Sequence, residues 1–338
     1  MKSRFNLSQF FVLALFFSLL MITSCQKENS QTGTDEQQVE ASMASSEADS
    51  ESEIVFNGIF DDAIGVNEEV GIGGTGVFGR VAACPDVTVI RLNAPAPFPV
   101  KVILDFGLNG CVGSDGHLRR GKVITVYSNR LLVPGAIATT TFDGFYFDST
   151  KVEGTHKITN TSPPLGTQPP SRQFTVDVIE GKLTKPNGNY IEWNSHKVIT
   201  QIEGLGTNIP LDDIFRVEGN ARGKVKRGAL IVLWESSITE PLIKRFNCRW
   251  IVKGRIRTVR VNTATTSPWV AVLDFGAGNC DNQAVIIING VPHQITLPQL
   301  KNYYTFKPVF IGYGLKTGQG FYPGPNFFSL FPIQMPLK

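Results

Sequence analysis

Charge is scarce in this 338-residue chain: Asp, Glu, Lys and Arg make up 18% of it, against roughly 25% in a typical soluble domain. Histidine occurs four times and cysteine five times. No His-x-x-x-His or Cys-x-x-Cys is present, so no local spacing suits a zinc ion. No Gly-x-Ser-x-Gly elbow announces a hydrolase nucleophile, and no heptad or collagen-like glycine period runs through the chain. Beyond the N-terminus no apolar run reaches the 18 or so residues of a membrane-spanning helix. Acids are missing altogether from residues 1–24 and 299–338. What is abundant is apolar, at 42%, with 33 glycines and 20 prolines. That is too apolar for disorder throughout.

The N-terminus reads as an address. Lys2 and Arg4 precede an apolar run from Phe10 to Ile22, broken only by Ser18. The run suits the core of a secretory signal. It closes on Ile22-Thr23-Ser24-Cys25, which resembles a bacterial lipobox. Cys25 is therefore expected to carry lipid, with residues 1–24 removed as signal peptide and the outer membrane as the destination. Whether the cell surface or the periplasmic face is occupied stays open. Residues 25–53 follow with one lysine, eight acids and no aromatic residue. Their composition predicts a disordered acidic tether. Residues 54–78 form a lead-in, with one short amphipathic helix expected near Ile54–Ile64, where Phe56, Ile59, Phe60 and Ile64 share a face.

Residues 79–298 read as antiparallel β. Period-two, β-branched runs recur from Arg80 to Leu297 with turn residues between them, including Pro186-Asn187-Gly188 and Asn289-Gly290. No stretch has a sustained helical period, and the gaps are too short for parallel crossovers. The fold class is all-β: an antiparallel meander of hairpins, as a sandwich or a rolled, partly closed sheet. Residues 299–338, with ten aromatics and many Pro and Gly, read as an appendage.

One element occurs twice. Pro99 to Gly107 with Cys111, and Pro268 to Gly276 with Cys280, share Pro, Leu, Asp, Phe, Gly and Cys at matched spacing. Asp105-Phe106-Gly107 and Asp274-Phe275-Gly276 spell a kinase metal-binding tripeptide without its companion motifs, so each reads as a strand end where Asp caps a turn. Two disulfides are expected in an exported chain. The midpoints between Cys84 and Cys111 and between Cys248 and Cys280 both fall in turn-like segments, so each pair sits across its own hairpin. The repeated element, with Ile191-x-Trp193-Asn194-Ser195, Asp212-Asp213 and Cys248-x-Trp250-Ile251-Val252-x-Gly254, resembles a group of uncharacterised all-β lipoproteins of Bacteroidetes. The resemblance covers about residues 80–298 and implies location and fold, with no activity or cofactor.

Two features bear on partners. Trp193, Trp234, Trp250 and Trp269 lie in expected strands, either as sugar-stacking platforms or as core filling. The stretch 216–260 carries twelve basic residues against Glu218, Glu235 and Glu240. Within it Lys253, Arg255 and Arg257 alternate with apolar positions and share one face of a strand. Arg222, Lys224, Lys226 and Arg227 are placed to join them from a neighbouring strand. Nucleic acid does not suit an exported chain. The row fits a solvated face or an anionic partner: acidic polysaccharide, lipopolysaccharide, or the chain's own acidic segment. Beside the lipid anchor in the membrane, the expectation is a non-enzymatic structural or ligand-binding module. The rival is a glycan-binding or carbohydrate-active envelope protein.

Overall fold

The computed structural model describes residues 35–69, 85–112, 118–164, 172–205, 212–245, 247–248, 250–261 and 269–297. Cys25, Cys84, the signal segment and residues 299–338 lie outside them.

The strands follow the alternation of the sequence. They are β1 (Asp86–Arg91), β2 (Val100–Asp105), β3 (Cys111–Val112), β4 (Leu118–Tyr127), β5 (Ile137–Phe147), β6 (Thr150–Asn160) and β7 (Arg172–Thr184). The second half comprises β8 (Tyr190–Glu203), β9 (Ile214–Arg227), β10 (Leu230–Arg245), β11 (Ile251–Arg260), β12 (Val270–Ala277), β13 (Gln283–Ile288) and β14 (Val291–Thr296). Each pairs antiparallel with its neighbour in one 14-stranded meander from β1 to β14, with β3 paired on β4. The sheet is not closed, so the all-β meander takes the rolled form and not the sandwich. Asn289 and Gly290 both adopt left-handed backbone at the β13–β14 hairpin, as a type I′ turn requires. Asp105 Oδ1 accepts the Gly107 N–H at 2.9 Å and Asp274 Oδ1 that of Gly276 at 2.8 Å. The repeated tripeptide thus makes the same Asp-to-Gly hydrogen bond twice, at the end of β2 and near the end of β12.

The largest departure from the sequence reading precedes the sheet. Helix α1 runs from Asp35 to Glu69, through the segment read as a tether and past the short helix expected at Ile54–Ile64. No glycine or proline lies between Asp35 and Asn57, and Asp35 and Glu36 complement the positive end of the helix dipole. From Ala41 to Ile54 every residue is buried except a half-buried stripe at Met43, Glu47 and Glu51, which Val55 continues. A flat sheet covers one side of a helix; burial all round requires the sheet to curl about it. α1 touches β6 and β8 to β13. Encased helices must be slender, since a helix with full-length side chains is about 10–12 Å across; alanine and serine supply that slenderness here.

Curling needs interruptions in the ladder, and bulges provide them. At Gly219, with φ 136°, a Cβ atom would lie 2.2 Å from the His196 carbonyl oxygen, so only glycine lets β9 press onto β8 there. Cys248 and Cys280 are bridged, with Cα atoms 5.8 Å apart, across the β11–β12 hairpin. Closing a loop of 32 residues is worth about 3–4 kcal/mol in the chain-entropy account. Cys111 is also disulfide-bonded; its expected partner Cys84 lies outside the described residues.

Candidate functional site

The concave interior around α1 holds the densest chemistry among the described residues. Along β8 the odd-numbered residues from Ile191 to Gln201 face inward and are buried. This puts Trp193, Ser195 and Lys197 in one row, and places His196 outside on the opposite face. Across β8, β9 and β10, Trp193 stands opposite Gly223 and Gly223 opposite Trp234. A Cβ on Gly223 would lie 2.4 Å from the Trp234 ring, so the glycine gives the indole its place. Trp193 and Trp234 are 2% and 1% exposed. They are therefore core-filling rather than open sugar platforms.

Both indoles aim their N–H groups at one helix residue. Asp49 Oδ1 accepts from Trp193 Nε1 at 2.8 Å and from Trp234 Nε1 at 3.3 Å. One turn further on, Glu53 Oε2 lies 3.0 Å from Lys197 Nζ, both side chains under 5% exposed. The pair is a charge contact outside hydrogen-bond alignment. At the half-buried stripe Glu47 pairs with Arg227 at 2.6 Å and Glu51 with Lys185 at 2.9 Å. Arg260 donates to Gln38, and desolvation lowers its pKa. Three of the acids read as tether charges, Glu47, Glu51 and Glu53, are thus counter-ions of the sheet's inner and rim cations.

Much of this interface is polar without being paired. The hydroxyls of Ser42, Ser46, Ser50 and Ser52 on the helix, and of Ser195, Ser236 and Thr258 on the wall, make no hydrogen bond. A buried unpaired polar group costs about 1–3 kcal/mol. The apolar half of α1 offsets this: Phe56 stacks on Trp193 at 5.5 Å, and Phe60 meets Phe174 and Phe215 edge-on at 5.6 and 6.1 Å.

His156, fully buried on β6 with neither ring nitrogen hydrogen-bonded, lies 6.3 Å from the parallel Phe56 ring. Burial lowers its pKa to about 3, against a weaker opposing pull from Asp177. The folded state therefore holds this imidazole neutral while the unfolded chain, with a pKa near 6.5, takes a proton. Stability is full above pH 6.5 and is lost as pH falls from there toward 3. Between pH 7.5 and 5 the loss should be about 2 kcal/mol. Urea unfolding at the two pH values checks it, and His156→Phe should flatten the slope.

The sequence-predicted cation row is on β11, where Lys253, Arg255 and Arg257 alternate with buried Gly254 and Ile256. They share an exposed face as expected. Arg255 is already neutralised by Asp274 and Glu240, each at 2.7 Å. Lys253 stands between Ile243 and Ala277, and Arg257 between Ser237 and Val272, with no acid directly opposite either. The basic residues of β9 do not adjoin this row, because β10 lies between the two strands. Arg227 turns to the helix, and Lys224 to Glu192 and the Tyr190 ring.

An open outer cavity of about 420 Å³ is lined by Asp105, Arg120, Lys122, Asp143 and Tyr146 among others. Its groups are largely committed to one another. Lys122 pairs with Asp105 at 3.1 Å, and Arg120 covers the Tyr146 ring at 3.8 Å. The Gly107 N–H, and then Lys122, hold the Asp105 carboxyl below its ordinary range. His196 and Asp177 form an exposed contact at 2.7 Å, with Ser195 on the other face. Among the described residues no three His, Cys, Asp or Glu side chains converge as metal ligands, and no helix is long and apolar enough to cross a membrane.

The sequence reading missed the interior site. Its available signals were the absence of helix breakers from Asp35 to Asn57 and the Ala41-Ala44-Ala48 spacing. Comparison with protein-family models, curated proteins and solved structures finds no match to this chain.

Proposed function

We propose that this chain is a lipid-anchored envelope protein whose rolled sheet is a non-enzymatic ligand-binding module. One observation carries the reading. The sheet encloses a largely apolar interior, and the helix that fills it adds to its small and aromatic core residues a run of buried serines and two buried carboxylates, several of whose polar atoms stay unpaired. A structural module needs no such arrangement; an apolar helix would fill the space better. Anchoring through Cys25 follows from the signal and cysteine pattern, and the resemblance to Bacteroidetes lipoproteins agrees with it. The bacterial outer membrane is the implied setting.

Glycan binding is the second reading, and the outer cavity beside Tyr146 is the feature that favours it. The covered ring and paired carboxylate make it the weaker of the two. Thermal unfolding in the presence of envelope amphiphiles and of acidic and neutral polysaccharides separates them. Amphiphiles are expected to raise Tm by several degrees and polysaccharides to leave it unchanged. The reverse pattern supports glycan capture, and no shift with either class leaves a structural role. Labelled palmitate is expected in the wild type and to be absent from Cys25→Ala; label retained in that variant would overturn the anchor.

A further inference from the structure

The inner wall supplies two chemistries side by side. Val152, Val178, Ile191, Val225 and Val232 belong to one buried apolar cluster that also contains Trp193 and Trp234. Within that wall sit Lys197 Nζ and the Trp193 N–H on β8 and the Trp234 N–H on β10, beyond the intervening β9, with the Lys197 ammonium 6.0 Å from the Trp193 ring. Three inward donors in an apolar wall are what a carboxylate or phosphate joined to a hydrocarbon requires. Nothing in the wall's own packing calls for them. In the structure they meet Asp49 and Glu53, one turn apart on α1.

The segment that brings those acids packs through Ala41, Ala44, Ala48, Phe56 and Ile59 but also carries polar groups that the wall leaves unpaired. Ser46 and Ser50 flank Asp49 with buried, unpaired hydroxyls, and Asp49 Oδ2 is likewise unpaired. A ligand with an acidic head and an aliphatic tail would satisfy the donors and return the apolar wall to apolar contact. The half-buried stripe along Met43, Glu47 and Glu51 shows that the sheet leaves α1 one open side.

Building on the ligand-binding reading, we propose that Lys197, Trp193 and Trp234 form the head-group cradle for an amphipathic anion, an acyl chain bearing a phosphate or carboxylate. Helix α1 occupies the cradle in its absence, its Asp49 and Glu53 carboxylates standing where the head group goes. Apparent affinity is then scaled by the fraction of molecules whose helix has left the wall. Changes to the helix that touch no ligand must therefore move it.

The test uses the full chain carrying Cys25→Ala, which needs no detergent to hold an acyl anchor. Dodecyl phosphate, dodecanol and inorganic phosphate are the probes, read by tryptophan emission and calorimetry. Dodecyl phosphate is expected to bind at least 10-fold tighter than dodecanol, and inorganic phosphate not at all. Ser46→Ala with Ser50→Ala removes two unpaired hydroxyls and favours helix; it should raise Tm and weaken dodecyl phosphate at least 10-fold. Lys197→Met with Glu53→Met should abolish the preference for phosphate while leaving dodecanol affinity in place. Equal affinity for dodecanol and dodecyl phosphate overturns the anion cradle and leaves the ligand-binding reading standing. Dodecyl phosphate affinity unchanged by the two serine substitutions places the probe elsewhere and overturns the displacement. Failure of all three probes to bind overturns the proposal as a whole, and the ligand-binding reading is then judged by the thermal-unfolding panel alone.

Discussion

Replacing Phe60 by alanine is expected to lower the unfolding free energy by about 3–5 kcal/mol, the usual cost of deleting a fully packed ring. Phe60 is 2% exposed, and its ring is held edge-on between Phe174 of β7 and Phe215 of β9. The cavity left cannot easily collapse, because two other rings and the surrounding sheet define it. Urea unfolding followed by near-UV circular dichroism reads the loss. The result also decides whether α1 belongs to the folded body. A helix lying loosely on the outside would lose under 0.5 kcal/mol from the same change, as surface substitutions generally do. That outcome would remove the encased helix from the description of this fold.

The second large effect lies at Lys197 and Glu53, whose side chains are 4% and 3% exposed. Lys197→Met alone leaves a buried carboxylate facing apolar groups and should cost about 3–5 kcal/mol. Glu53→Met alone strands the ammonium, with a cost of the same order. Together the two substitutions replace the ion pair by matched apolar volume, which is commonly neutral or stabilising. The double variant should therefore approach wild-type stability, giving a coupling energy of several kcal/mol. Additive costs in the double-mutant cycle would mean that the two residues do not share one buried site. The surface pairs should behave differently. Arg255→Ser leaves Asp274 and Glu240 in water, where exposed ion pairs contribute little.

The strands were legible because their signal is local. Period-two alternation sets which face each residue takes, and so Lys253, Arg255 and Arg257 point outward together as their spacing implies. The same rule puts Ser195 inside and His196 outside, which excludes their adjacency as a catalytic pair. The Asp-Phe-Gly turns and the Cys248–Cys280 bridge were readable for a similar reason. Each depends on residues of one hairpin, so chain distance limits the choices. The helix was misread because composition was averaged over Gln26–Glu53. Eight acids in that stretch suggest solvation only if nothing opposite neutralises them. The partners of Glu51, Glu53 and Glu47, namely Lys185, Lys197 and Arg227, lie 134 to 180 residues away, as the Glu51–Lys185 and Glu47–Arg227 bonds show, and no local pattern joins them.

The division between sequence and tertiary structure follows from range. The sequence alone determined an all-β antiparallel body, its turn positions, the pairing of Cys248 with Cys280 and the outward row on β11. These are properties of neighbouring residues or of single hairpins. Only the tertiary structure decided that the sheet curls into one wall, that the helix from Ala41 to Phe60 is its contents, and that two indoles and one ammonium meet two carboxylates inside. Curling is a sum of small twists and bulges over fourteen strands, and no single residue encodes it. Whether Asp49 and Glu53 are solvated or buried and partnered depends on which donors the curled wall brings within 3.3 Å of them.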